Sequence, residues 1–325
     1  GGAGGRGGGA GRGAAGGGGR APPAPPEAPI GAAPGEWAAV LRTSWVEPAY
    51  LEPDASWCAP GDKPVSPLAN GGAFGGKRES PVLAAARELA DRHGRPVRVL
   101  LNREDTVRLG PKRPPVAGGA RPDGSGVLRV ARTPGIAEVV ARVAPDFTVE
   151  EVDVVGPPTS IDLRAAGWAE AVVLLAGACG LLTPVVDPVR GAEAEAAIGA
   201  DGTVRVRVRA GEVLDEAVLR SYCTGAAHMA LSWISSEGIA VDDDGTVHDL
   251  TIRSFGILRA TETPPIEVEV VPGEGPPVRG SDAVFAAVAA AAWQHGGGPP
   301  ALPPRQRWRR AHTGGKRSAG MAGWS

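Results

Sequence analysis

The stretch NGGAFGGKRES, residues 70–80, combines the residue types of an anion-binding loop. Four glycines surround one phenylalanine, and a lysine, an arginine and a glutamate follow them before the final serine. Glycine lets backbone amides approach a ligand closely, and a helix that begins after such a loop favours an oxyanion or a phosphate. The pattern is neither GxxxxGK[ST] nor GxGxxG, because Arg78 follows Lys77. The glycines alone leave two interpretations open, a plain connecting turn and an anion site.

Other residue types that carry chemistry are sparse. The sequence has no GxSxG, no HExxH and no CxxC, and Cys58, Cys179 and Cys223 lie far apart. An odd number of scattered cysteines is typical of a reducing compartment and not of a disulfide framework, so we expect a cytoplasmic protein without a structural metal site. His228, one residue before Met229 in an apolar segment, is interpreted as a core or interface histidine.

The composition excludes several classes of protein. At 325 residues and 42% hydrophobic content, the chain is long enough for a sizeable core. A net charge of -2 gives no overall attraction to nucleic acid or to an anionic membrane. The longest apolar run, 169–182, is too short to span a bilayer and is interpreted as a buried core segment. Because Met229 and Met321 are its only methionines, we interpret the chain as a processed product or a fragment.

The elements that must position the loop alternate between helices and strands. An amphipathic apolar pattern predicts a helix directly after the loop, and strict Val/Arg alternation predicts a half-exposed strand at 202–213. A later helix is expected to begin near Gly225, and Ser281 or Asp282 is expected to cap the last one. The remaining predictions are a hairpin around Asp244-Gly245 and strands at 95–102 and 265–271, with the first helix at 80–94 and the last at 280–296.

The two ends differ in composition from the rest. Residues 1–35 are almost entirely Gly, Ala and Pro, and residues 297–325 form a Pro-rich and basic segment. Both are predicted to be disordered, because they offer little apolar surface to offset the entropy of ordering. Arginines set among glycines also occur in RNA-binding segments, but no aromatic residue is interleaved for stacking at the first end. A nucleic-acid partner is therefore not our leading expectation.

Three segments resemble one known family in the same order. WVEPAYLEPDAS, 45–56, is similar to the "LEP" segment of the large subunits of molybdenum hydroxylases, the xanthine dehydrogenase and aldehyde oxidase family. Residues 71–114 resemble that family's GGGFGGK loop, the helix and strand that follow it, and its "GKRHP" segment. Residues 225–271 resemble the stretch in which a helix leads to a hairpin and to "YKIPTAADIPEIEV". With the residues between and beside these segments, the resemblance covers roughly 44–114 and 215–293, a little under half of the chain.

The resemblance implies a role for the glycine-rich loop. In the family this loop lies against the molybdenum and the pterin. By position, a molybdopterin-type molybdenum cofactor would face Gly72, Ala73, Phe74, Gly75 and Gly76. The alternative is that the loop is kept only as a structural turn.

The chain departs from the family at its catalytic segment. The family's "SKAVGEPPLFLAA" contains a glutamate that acts as general base, whereas SDAVFAAVAAAAW, 281–293, matches both flanks and lacks the five residues with that glutamate. Such a base is typically worth roughly 10²- to 10⁴-fold in rate. The family's further pterin-contacting motifs are also missing from the short middle region.

Glu79 is the candidate replacement for the catalytic carboxylate. The position after the loop lysine, often a substrate-facing glutamate in the family, is Arg78 here, and Glu79 comes one residue later. One residue of offset turns a helical side chain by about 100°. The other interpretation is a carboxylate at a helix N-terminus, stabilised by the helix dipole.

These observations define the expected protein. We predict an α+β fold with mixed sheets and packed helices, resembling part of the molybdopterin-binding domain of molybdenum hydroxylases. The resemblance implies a hydroxylase subunit that acts on a heterocycle or an aldehyde with iron–sulfur and FAD-binding partner subunits; the alternative is a non-catalytic binding or assembly protein. The predicted regions are 1–35 disordered, 36–120 first molybdopterin-binding-like, 121–200 connecting, 201–296 C-terminal molybdopterin-binding-like and 297–325 disordered.

Overall fold

The fold is α+β, which confirms the predicted class. The computed structural model describes residues 26–180 and 182–304, apart from the side chain of Asn70. Its helices are α1 (Val82–His93), α2 (Arg103–Leu109), α3 (Ile136–Val143), α4 (Trp168–Cys179), α5 (Glu216–Ser235) and α6 (Ser281–His295). Its strands are β1 (Ala39–Thr43), β2 (Ala55–Cys58), β3 (Val97–Leu100), β4 (Val116–Ala120), β5 (Gly126–Ala131), β6 (Phe147–Val152), β7 (Val185–Val186), β8 (Glu193–Ile198), β9 (Val204–Arg209), β10 (Ile266–Val270) and β11 (Ala301–Leu302).

The strands form mixed sheets, as predicted. A five-stranded sheet has the order β11-β1-β4-β5-β6, in which the β1–β11 and β5–β6 pairs are parallel and the others antiparallel. A four-stranded sheet has the order β10-β9-β8-β7 with a parallel β10–β9 pair. Strands β2 and β3 pair separately and antiparallel. On β9 the valines are buried and the arginines exposed, as the alternation predicts.

Alanine-rich helices fill the space between the two larger sheets. Helix α6 packs against α4, α5 and β8, and its residues 281–293 are buried. The ring of Trp233 on α5 stacks on Phe285 of α6 at 5.5 Å. The apolar run predicted as a core segment forms α4, which is buried from Trp168 to Ala176. Among the described residues, no helix is long and apolar enough to cross a membrane.

One helix start and one helix cap differ from their predictions. Helix α5 begins at Glu216, well before Gly225, because the side chain of Asp215 accepts a hydrogen bond from the Val218 amide and caps it. Helix α6 follows Gly280 without a side-chain cap. Ser281 and Asp282 are instead buried in its first turn. The expected capping role of these two residues was therefore wrong, since Asp282 is engaged in ion pairs inside the fold.

Tertiary contacts also correct the expected ends of the ordered region. Ile30 is buried, and the Arg42 side chain donates hydrogen bonds to the carbonyls of Ala28 and Ile30, both at 3.1 Å. Strand β11 pairs with β1 although it falls in the segment predicted to be disordered. Backbone pairing and burial order these short stretches despite their composition. The rest of both predicted disordered segments lies outside the described residues, and the other predicted region boundaries stay predictions.

Candidate functional site

The glycine-rich loop has a strained conformation that local sequence does not explain. Ala73 and Phe74 have φ angles of 50° and 56°, which residues other than glycine rarely adopt. Gly75 has a φ of 106°, and a Cβ atom there would lie 1.7 Å from the carbonyl oxygen of Asp162. Around Gly72 no atom would come within 4 Å of an added Cβ. Close packing on the chain around Asp162 therefore makes glycine necessary at position 75 and not at position 72.

Hydrogen bonds tie the loop to itself and to a distant segment. The amides of Gly75 and Gly76 donate to the carbonyls of Gly72 and Ala73, both at 2.9 Å. The carbonyl of Phe74 accepts a hydrogen bond from the Arg164 amide at 3.1 Å. In this conformation the Gly75 and Gly76 amides are engaged within the loop and do not face a ligand.

Glu79 is not among the residues that line the small cavity beneath Phe74. Its side chain is exposed, and the neighbouring Arg78 forms an ion pair with Asp162 at 3.4 Å. Helix α1 starts at Val82 and has no acidic residue in its first turn. Glu79 therefore precedes the helix, and the helix-dipole interpretation does not hold for it. A catalytic role for Glu79 stays a prediction.

A small cavity lies beneath Phe74. Its volume is about 30 Å³, enough for a water molecule and much smaller than a pterin. The Phe74 ring covers the guanidinium of Arg164 at 4.7 Å. The remaining charged side chains that line the cavity are Glu47, Arg113 and Glu237.

A buried ion pair occupies the centre of this region. Arg113 contacts both carboxylate oxygens of Glu170 at 2.8 Å, a bidentate arrangement that is among the stronger charge-assisted contacts. The Arg113 guanidinium also lies 4.6 Å from the Trp233 ring centre and 4.9 Å from that of Phe285. These groups fill the space behind the loop.

Arg164 links the loop to helix α6. Its side chain is only 8% exposed and lies 3.6 Å from Asp282, which also pairs with Arg190 at 3.1 Å and with Arg279 at 3.4 Å. Burial lowers the pKa of Arg164 to about 10, although Asp282 opposes this effect. Its Nε atom has no hydrogen-bond partner among the described residues.

Glu237 is the residue of this site that sequence reasoning missed. It follows the end of α5, is buried, and lines the cavity beneath Phe74. Burial raises the pKa of Glu237 to about 7, against the lowering effects of a hydrogen bond from Ser232 and of the Arg113 charge. The only signal in the sequence is a glutamate placed directly after an apolar helical segment.

Backbone strain is concentrated around this cavity. Within the part of the chain that the structure describes, the non-glycine residues with left-handed φ angles are Ala49, Ala73, Phe74 and Ala165. Phe74 lines the cavity, and each of the other three is next in the sequence to a residue that does. Such residues cost of order 1–3 kcal/mol each and cluster at functional sites. The clustering marks this region as the best candidate for a functional site.

The raised pKa of Glu237 predicts a pH-dependent stability. A carboxyl group whose pKa is higher in the folded state stabilises the fold fully below pH 4.5, and this contribution is lost as the pH rises through about 7. The free energy of unfolding should therefore fall by up to about 3 kcal/mol over this interval because of Glu237. Glu237→Gln should make the free energy of unfolding less dependent on pH. Urea unfolding at pH 4.5 and at about pH 7 measures this. If the free energy of unfolding changes with pH in the variant as much as in the original protein, the prediction is wrong.

Comparisons with known proteins give weak and partial likenesses. No protein-family model and no curated protein matches the sequence. Among solved structures, an aldehyde oxidoreductase from Desulfovibrio gigas matches with 15% identity and a TM-score of 0.29, over 59% of this chain and 35% of that one. Quinoline 2-oxidoreductase from Pseudomonas putida 86 matches with 11% identity and a TM-score of 0.28, over 58% and 37%. CO dehydrogenase from Oligotropha carboxidovorans matches with 12% identity and a TM-score of 0.26, over 53% and 32%.

The three structures belong to one class of enzyme, although the matches to them are weak. They are molybdenum hydroxylases, and this chain spans about a third of the length of each. With TM-scores this low, the likeness carries no argument about a site or an activity. In the described residues, no group of three or more His, Cys, Asp or Glu side chains is arranged to hold a metal ion.

Proposed function

We propose that the chain is part of the molybdopterin-binding subunit of an oxidoreductase of the xanthine dehydrogenase type. The observation that carries the proposal is the strained loop around Phe74, whose sequence resembles the cofactor-facing loop of that family. Gly72, Ala73, Phe74, Gly75 and Gly76 would form one wall of the cofactor site. The substrate would be a heterocycle or an aldehyde, the electron-accepting partners would be iron–sulfur and FAD-binding subunits, and the compartment would be the cytoplasm.

The described residues do not by themselves fit the cofactor. The cavity beneath Phe74 holds about 30 Å³, and the Arg113–Glu170 pair occupies the space behind it. The amides of Gly75 and Gly76 are engaged within the loop. For these reasons we assign no catalytic step to the cofactor here. Binding would require the loop to open away from the Arg113–Glu170 pair.

The second candidate function is a non-catalytic binding or assembly module. It is favoured by the filled space beneath the loop and by the exposed position of Glu79, the proposed substitute for the missing glutamate. The two candidates predict different cofactor contents for the purified protein.

Cofactor analysis separates the two candidates. The full chain is produced in a host that synthesises the molybdenum cofactor. The molar amounts of molybdenum and of pterin in the purified protein should each nearly equal that of the protein. Metal content is measured by mass spectrometry and pterin by the fluorescence of its oxidised form. The same chain from a host without cofactor synthesis is the control. A molybdenum content equal to that control contradicts the oxidoreductase proposal and favours the binding module.

A further inference from the structure

A larger cavity lies between the segment 47–53 and helix α2. Its volume is about 280 Å³, and residues of the segment 250–255 form its remaining side. An engineered apolar cavity of about 150 Å³ is known to hold benzene. This cavity therefore has room for an aromatic ring with a short side chain. Neither the glycine-rich loop nor the proposed cofactor role accounts for it.

The walls of the cavity are mostly apolar. They are formed by Val107 on α2 together with Leu51, Leu250, Ile252 and Phe255. Val107 and Phe255 are buried, whereas Leu51 and Ile252 are 59% and 45% exposed. Because an apolar ligand would remove these two exposed side chains from water, their position beside the cavity favours such a ligand. A mostly apolar wall with a few polar groups is the usual composition of a small-molecule site.

Arg103 brings a positive charge to this cavity. It lines the cavity, is exposed, and is the first residue of α2. Its guanidinium donates to the carbonyl of Tyr50 at 3.5 Å and to that of Leu51 at 2.9 Å, so the side chain bridges the two walls. Within the part of the chain that the structure describes, it forms no ion pair and its Nε atom donates no hydrogen bond. A guanidinium has five N–H donors, so several of them stay available to an acceptor.

The two carboxylates that line the cavity do not neutralise Arg103. Glu47 is buried and lies 3.0 Å from Lys112 Nζ, which compensates its charge. Glu52 is exposed and lies close to Gly71, where an added Cβ atom would come within 2.7 Å of Glu52 Oε1. Arginine binds carboxylates in a bidentate geometry that is among the stronger charge-assisted contacts. A ligand carboxylate therefore supplies the partner that the described residues do not.

Hydrogen bonds hold the segment beside Arg103 in place. Tyr50 lines the cavity and donates its hydroxyl to Asp54 at 2.7 Å, and Asp54 also accepts a hydrogen bond from Ser80. The bond from Arg103 to the Leu51 carbonyl joins this segment to α2. These contacts fix the polar side of the cavity before any ligand binds, which lowers the ordering cost of binding.

We propose that this cavity binds a small monocarboxylate with an apolar body. Arg103 binds the carboxylate, and the apolar walls take the body of the ligand. The site goes beyond the proposed cofactor role of the loop and does not depend on it.

Calorimetric titration of the full chain tests this proposal with three matched probes. Phenylacetate has the carboxylate, phenylacetamide has nearly the same shape without the charge, and phenethylammonium has the opposite charge. Phenylacetate should bind at least about tenfold more tightly than either of the others, because hydrogen bonds between charged groups are stronger than neutral ones. No detectable phenylacetate binding up to its solubility limit overturns the proposal. An affinity for the amide or the ammonium equal to or above that for phenylacetate also overturns it, the latter because the charge of Glu52 would then dominate the cavity.

A charge variant tests the role of Arg103. Arg103→Gln keeps a polar side chain at an exposed position and should weaken phenylacetate binding at least about tenfold, so that the preference over phenylacetamide is lost. Arg108→Gln is the matched control, because Arg108 is exposed on the same helix and pairs with Glu104 at 3.1 Å. It should leave the affinity for phenylacetate unchanged. If Arg103→Gln folds, as circular dichroism shows, and keeps the preference for phenylacetate, the proposal is wrong.

A steric variant locates the binding independently of Arg103. Ile252→Trp places a larger side chain at a half-exposed position of the cavity wall and should weaken phenylacetate binding at least about tenfold, because it takes the space of the ring. Val218→Trp, at a 49% exposed position on α5, is the control and should leave the affinity unchanged. Unchanged phenylacetate affinity in Ile252→Trp overturns the proposal even where Arg103→Gln fails to fold. Cofactor content is measured separately, so the two proposals fail independently.

Discussion

Replacing Glu170 with glutamine should lower the free energy of unfolding by about 3–5 kcal/mol. Glu170 is fully buried on α4, and both of its oxygens contact Arg113 at 2.8 Å. The substitution keeps the shape of the side chain but leaves the Arg113 charge buried without a counter-charge. Urea unfolding followed by far-UV circular dichroism measures the loss.

A double variant and a surface pair are the controls for this prediction. Arg113→Met combined with Glu170→Met should lose less stability than Glu170→Gln alone, because it leaves no unpaired buried charge. Glu193→Gln removes an exposed ion pair with Arg209, 2.9 Å long, and should cost less than about 1 kcal/mol. A loss for Glu170→Gln as small as that for Glu193→Gln contradicts the prediction.

Gly75→Ala should destabilise the fold by about 3 kcal/mol or more, since it combines steric overlap with a left-handed backbone. The added Cβ would lie 1.7 Å from the Asp162 carbonyl oxygen, which belongs to the backbone and cannot rotate away. The φ of 106° adds strain for any residue with a side chain. Thermal and urea unfolding measure the change.

Gly72→Ala is the matched control within the same loop. Gly72 has a φ of -91° in the right-handed helical region and open space around it. Alanine at such a position typically stabilises by about 0.4–1 kcal/mol through the unfolded state. The two substitutions should therefore change stability in opposite directions. Equal effects would show that the conformation of the loop is not the one described.

Several elements were predictable because their causes are local. The apolar spacing after the loop produced α1, and the Val/Arg alternation produced β9 with the expected faces. Glycine at position 94 ends α1 in a left-handed conformation, as a glycine after a helical pattern predicts. Each of these outcomes depends on residues within one or two turns of the chain.

The candidate site was predictable only in part, because its partners are distant in the sequence. The resemblance drew attention to the loop around Phe74, but Arg113 and Glu170 are 57 positions apart, and nothing in the sequence pairs them. Glu237 reaches the same cavity from the end of α5. Glu79, the carboxylate that the sequence favoured, is exposed and precedes α1, which begins only at Val82.

The sequence by itself determined the α+β class, several elements and the position of the glycine-rich loop. The tertiary structure decided which charges meet beneath the loop, how much space remains there, and that a larger cavity lies beside Glu47. The reason is physical. Helices and strands follow from short-range periodicity and backbone preference, whereas cavities, buried ion pairs and pKa shifts arise only when distant segments exclude water together.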